Sequence, residues 1–195
     1  MATLNILKES DTDFYQDFGK PRPQRLANKI KSMKYRAYLD IETTGFSRYD
    51  CDLTVIGIAL EKGRKCQVVQ LIEDDLYEEK LFKNLECVDE IYTYNGSRFD
   101  LPFIEAKLGV DLKQCFVHTD LMYDCWRQDL KGGLKVVERL VGIKRRLTGV
   151  DGYIAVQLWY DYVNNDNQEA LQTLLAYNEE DVVNLRVLRR KLRIK

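Results

Sequence analysis

Between residues 35 and 72 three β-rich runs, RAYLDI, VIGIAL and QVVQLI, follow one another with only turn or charged segments between them. Strands arranged in this way read as an antiparallel meander, which commits the first half of the chain to a sheet. A helix is expected across LYEEKLFKNLE, then a fourth strand at EIYTYN, a helix starting near DLPFIEAKLG, and a fifth strand in the short apolar run CFVHTDL. The remainder reads as helical: GLKVVERLVG, YIAVQLWYDYVN, and a long last helix over about 167–194, with Asp166 and Glu169 as its capping box. Strands first, then alternation, then helices describe an α/β domain built on a mixed five-stranded sheet flanked by helices.

With 195 residues, 45% of them apolar, the chain holds one domain with a sizeable core. Thirty Lys and Arg stand against 31 Asp and Glu, so no global field draws in nucleic acid, and such a partner must be gripped locally. The five cysteines are widely spaced with no C-x-x-C pair, which fits a reducing compartment rather than a zinc or redox site. VIGIAL is far too short to span a bilayer, and the first residues lack the order of a signal peptide; the expectation is a soluble, cytoplasmic protein with no membrane partner. Residues 1–34 are polar, hold two of the three prolines and show only a weak helical pattern in QRLANKIKSM; they read as an arm preceding a domain over 35–195.

Three acidic clusters carry the chemistry. Asp40 and Glu42 end the first strand, and because side chains alternate along a strand both carboxylates point to one side of the sheet. Two like charges that close repel, and burial raises their pKa values further, unless a cation sits between them. In YNGSRFDLPF a strand ends at Asn95-Gly96 and Asp100 opens a helix, where an N-cap is the commoner job for an Asp. In YNEEDVVNL, Tyr177 and Asp181 lie one turn apart on one face of the last helix, a spacing that also marks the edge of an ordinary packed face.

Taken singly, such short motifs have bland explanations. Taken in order, D-x-E after a first strand, N-G-x-x-F-D after a fourth and Y-x-x-x-D on a final helix resemble the three exonuclease motifs of the DEDD superfamily, in its DEDDy branch. DIETTG, YNGSRFDLPF and YNEEDVVNL are similar to the proofreading domain of family B DNA polymerases and, more closely, to the compact predicted exonucleases of the YprB type, which GGLKVVERLVGIKRR also resembles. The resemblance runs from about residue 35 to 188 and leaves the arm uncovered.

The resemblance implies a ribonuclease H-like fold and a 3′-5′ exonuclease acting on single-stranded DNA or RNA by a two-metal mechanism. Asp40, Glu42, Asp100 and Asp181 would hold two Mg²⁺ or Mn²⁺ ions, hard cations suited to carboxylate oxygens. Asp40 would bridge them, Glu42 and Asp181 would complete the nucleophile side, Asp100 would hold the second ion largely through water, and Tyr177 would orient the attacking water. His118, the sole histidine, lies well upstream of the last helix and is left outside the site as a structural residue.

Asn95 stands where similar enzymes hold the strand being cut, though an Asn-Gly turn explains it equally well. Phe46 is placed to wedge against the terminal base, or else covers core from a loop. Asp120 is a candidate for a supporting role that the sequence does not decide. Of the basic groups, the Lys144–Arg146 run in a loop is the better phosphate-contact candidate, because Arg186 lies roughly 140° around the last helix from Asp181. A catalytically idle nucleic-acid-binding module and a structure-selective endonuclease on the same fold are the alternative functions.

Overall fold

A computed structural model describes residues 35–194; the arm over 1–34, with its expected helix in QRLANKIKSM, lies outside the described residues. The three β-rich runs form β1 (Tyr35–Thr43), β2 (Leu53–Lys62) and β3 (Lys65–Ile72), joined as the expected antiparallel meander. Two more strands, β4 (Glu90–Thr93) and β5 (Val117–Asp120), run parallel to β1 on its other side, giving the mixed order β3-β2-β1-β4-β5. Among the described residues seven helices flank this sheet: α1 (Glu78–Leu85), α2 (Asp100–Leu108), α3 (Leu112–Cys115), α4 (Leu121–Arg127), α5 (Leu134–Leu140), α6 (Gly152–Asn165) and α7 (Gln168–Lys191). This is a ribonuclease H-like α/β fold.

Alternation along β1 decides which face does what. Ala37, Leu39 and Ile41 join Ile56, Ile58 and Leu60 of β2 in the larger core, closed by Leu81 and Leu85 of α1 and by Leu101, Phe103 and Ile104 of α2. Tyr38 points the other way, stacks on Tyr92 of β4 at 5.3 Å, and packs with Val182, Leu185 and Leu188 of α7. Asp40 and Glu42 share the parity of Tyr38, so both carboxylates meet the helix that carries Tyr177 and Asp181.

Helix α7 can approach this closely because Gly57, opposite Asp40 in the β1–β2 register, has no side chain. A Cβ there would lie 2.0 Å from Asn178 Oδ1, well inside any real contact. At its start, α7 departs from the expected capping box. Asn167 is the N-cap, its side chain accepting from Glu169 and Ala170, while Asp166 takes a left-handed conformation that terminates α6. The chain must reverse between two abutting helices, and that reversal takes the residue that a capping box would have used.

Helices α3 and α4 were not expected. Leu121 starts α4 directly after β5, with Asp120 as a cap that accepts from the Met122 N–H. The apolar run there is thus divided between a strand and a helix, where one strand was expected.

Candidate active site

The end of β1 and the middle of α7 bring Asp40, Glu42 and Asp181 together, with one oxygen from each within 4.8 Å of the others. Glu42 and Asp181 are buried, and Asp40 is half-buried. Asp100 stands beside this trio, buried, with Oδ1 accepting from the Ile41 N–H at 3.2 Å. It is the first residue of α2 rather than its N-cap, which is Phe99, so its carboxylate ties the helix to β1.

Burial pushes all four acids up, and repulsion from neighbouring acids adds to it at Asp40, Glu42 and Asp100. Asp40 and Glu42 are held well above the usual carboxylate range by burial and then by Asp181 and Asp100. Asp100 is raised to about 7, chiefly by burial. Asp181 is raised by burial to about 6, against the opposing pull of Arg145. Such a group is either protonated or neutralised by cations.

Tyr177, one turn before Asp181, is buried in the same place, its hydroxyl pushed upward by burial and then by Asp181, Glu42 and Asp40. It stays a neutral phenol, a hydrogen-bond donor suited to orienting a molecule beside the acids. Lys135 of α5 places Nζ 4.4 Å from the centre of its ring, and the Arg145 guanidinium lies 5.4 Å from it.

Arg145 corrects the expectation for the basic loop. Its Nη1 bonds both oxygens of Glu138, and its Nη2 lies 2.7 Å from Asp181 Oδ1, so it is an internal counter-charge rather than a free phosphate contact. Glu180, next to Asp181, accepts from the Arg146 and Leu147 N–H groups and pins the loop that presents Arg145. Within Lys144–Arg146, only Lys144 and Arg146 leave their side chains exposed. Three arginines near the C-terminus are also paired internally. Arg186, Arg189 and Arg190 converge with Arg36 on buried Glu61 of β2, which also accepts from the Tyr38 hydroxyl at 2.7 Å. As expected, Arg186 faces away from the acids.

The substrate candidates separate. Phe46 is 93% exposed on the loop after β1, resting edge-on against Phe99 at 6.2 Å, so it covers no core. A cavity of about 240 Å³ opens beside it, lined also by Arg48, Tyr49, Arg98 and Phe103. Asn95 adopts φ 63°, the left-handed turn that Asn-Gly permits, and its N–H donates to Asp120 Oδ1 at 2.7 Å. Asp120 Oδ2 accepts from Ser97, so Asp120 holds the turn that delivers Asp100. His118 lies 2.9 Å from Thr93 Oγ1 on the neighbouring strand, burial holding its imidazole below the ordinary value.

Sequence reasoning missed Lys135, Glu138, Asn178 and Glu180. Glu180 offered one signal, a second acid directly before Asp181 in an otherwise amphipathic helix.

The model of the RNase_H superfamily matches residues 37–193, and the chain belongs to that superfamily. The uncharacterized protein YprB of Bacillus subtilis (strain 168) is 29% identical over 108 residues, half of this chain and 26% of the relative, so the chain spans about a quarter of that protein's length. Among solved structures, Brucella melitensis NrnC is similar in fold, with a TM-score of 0.50 at 19% identity over 81% of this chain and 71% of that one. The same protein bound to pGG gives 0.49 at 18% identity, covering 81% and 73%. No helix among the described residues is long and apolar enough to cross a membrane.

Proposed function

We propose that this chain is a metal-dependent 3′-5′ exonuclease of the DEDDy type, releasing nucleoside monophosphates from single-stranded nucleic acid. The observation that supports this best is the convergence of Asp40, Glu42 and Asp181 within 4.8 Å, Glu42 and Asp181 buried, beside Tyr177 and on elements far apart in sequence. A fold does not place buried like charges together without a use for them.

The donors suit Mg²⁺ or Mn²⁺. They are all carboxylate oxygens, and Asp181 Oδ1 is buried with no aligned hydrogen bond despite the nearby guanidinium. Asp40, Glu42 and Asp181 would hold one ion, and Asp40 with Asp100 a second. When bound, the ions would lower the pKa of water and neutralise charge gathering on the phosphoryl oxygens. Tyr177 would orient the attacking water through its hydroxyl, and Arg145 would hold Asp181 in place. Phe46 would stack on the terminal base, which tolerates any sequence. Asn95, held in its turn, would contact the strand.

The test is to incubate the protein with 5′-labelled single-stranded DNA and RNA of one sequence, with Mn²⁺, Mg²⁺ or chelator. A descending ladder that chelator abolishes is expected. Cleavage of a circular strand would instead indicate an endonuclease, and no cleavage with either ion a binding module.

A further inference from the structure

We propose that Asn178 is a positioning residue for the metal seat, its amide oriented with the oxygen on Gln70 and the NH₂ on Asp40, an orientation that only an acceptor in place of Gln70 would reverse. This rests on the reading of Asp40 as a metal ligand. Asn178 is completely buried between α7 and the sheet, beside Asp40. Its Nδ2 lies 3.3 Å from Asp40 Oδ2 and 3.4 Å from the Asp40 carbonyl oxygen, and its Oδ1 accepts from Gln70 Nε2 at 3.0 Å.

The direction of this relay follows from its far end. Gln70 Nε2 also donates to the Leu175 carbonyl at 2.8 Å, and a carbonyl can only accept. The nitrogen of Gln70 is therefore fixed against α7, and the atom of Asn178 that meets it must be the oxygen. That leaves the Asn178 NH₂ facing Asp40 and the neighbouring Glu42. A reversed amide would set an oxygen against a carboxylate and a carbonyl, where a buried acceptor with no donor is costly. Gly57 completes the arrangement by leaving Asn178 the space to enter. A chain of amides thus runs from β3 through α7 to β1 and sets the rotation of a carboxylate that would bridge the ions.

The distinguishing variants lie at Gln70, which touches no acid of the site. Gln70→Met removes the donor to Asn178 without offering an acceptor, so the Asn178 NH₂ still prefers the carboxylate and Mn²⁺ binding should stay near the parent value. Gln70→Glu offers an acceptor, which draws the Asn178 NH₂ away and turns its oxygen toward Asp40. By Coulomb attraction alone the added negative charge would strengthen cation binding. The relay predicts the opposite, a loss of about 10- to 100-fold in Mn²⁺ affinity, the usual effect of removing a hydrogen-bonded support from a metal ligand. Asn178→Ala should lose a similar factor.

Mn²⁺ titration calorimetry on the full chain, with circular dichroism to establish folding, measures all three. Equal losses in Gln70→Met and Gln70→Glu, or parent-like binding in both, would overturn the proposal, and this pair decides even if Asn178→Ala does not fold. A parent that binds Mn²⁺ but cuts nothing removes the nuclease reading and leaves the relay standing. A parent that cuts, with the two Gln70 variants alike, does the reverse.

Discussion

Tyr177 and Asp181 share one helix face yet differ in chemistry, and their substitutions should differ accordingly. On the proposed reading, Asp181→Asn removes a charged metal ligand and leaves Arg145 without one of its counter-charges, so cleavage should fall to background with weakened Mn²⁺ binding. Tyr177→Phe removes only the hydroxyl proposed to orient the water, so single-turnover cleavage should drop about 10²- to 10⁴-fold while calorimetry shows Mn²⁺ binding retained. Parent-rate cleavage by Tyr177→Phe would reduce the tyrosine to packing. The raised acids also link stability to pH. Asp181 at about 6 and Asp100 at about 7 both exceed their ordinary 3.8. The folded state therefore keeps protons that the unfolded chain has released, and the metal-free protein should lose stability as pH rises from about 4 to about 7. Thermal melts in chelator across that range check the sign; a midpoint that climbs instead would contradict it.

At the scale of elements, the contact between β2 and α7 sets the site. Gly57→Ala should force α7 away from the sheet, because the new methyl meets a fully buried Asn178 rather than a flexible surface chain. A loss of Mn²⁺ affinity together with a lower melting temperature is expected, and a parent-like melt would show that α7 moves freely. Strands and motifs were legible because alternation of apolar residues and acids at fixed spacing are local properties of sequence. Asp40-x-Glu42 and Tyr177-x-x-x-Asp181 each lie within one element, so their faces followed from the strand and helix periods alone. The role of Arg145 was not legible, because a basic loop reads as a phosphate contact until Glu138 and Glu180, from two other elements, are seen to enclose it. Gln70 and Asn178 lie 108 positions apart, and only the packing of α7 across β3 joins them.

For the whole molecule, divalent cations should act as part of the fold. A ligand bound only by the native state raises stability by mass action, and here it also relieves repulsion among buried carboxylates. Millimolar Mn²⁺ should raise the melting midpoint, and more so at pH 8 than at pH 5, where protons compete for the same oxygens; an unchanged midpoint would mean that no seat is assembled. The docking of α7 on β1 has a further consequence, in the order of events during folding. Asp40 and Asn178 are separated by 138 positions, so the acids converge only after a long loop has closed. The meander can form early from neighbouring runs, but a chain that has built it still has nowhere to hold an ion. Assembly of the acidic cluster is then the last event, and in refolding the recovery of Mn²⁺ binding should follow the slowest phase rather than the first appearance of secondary structure.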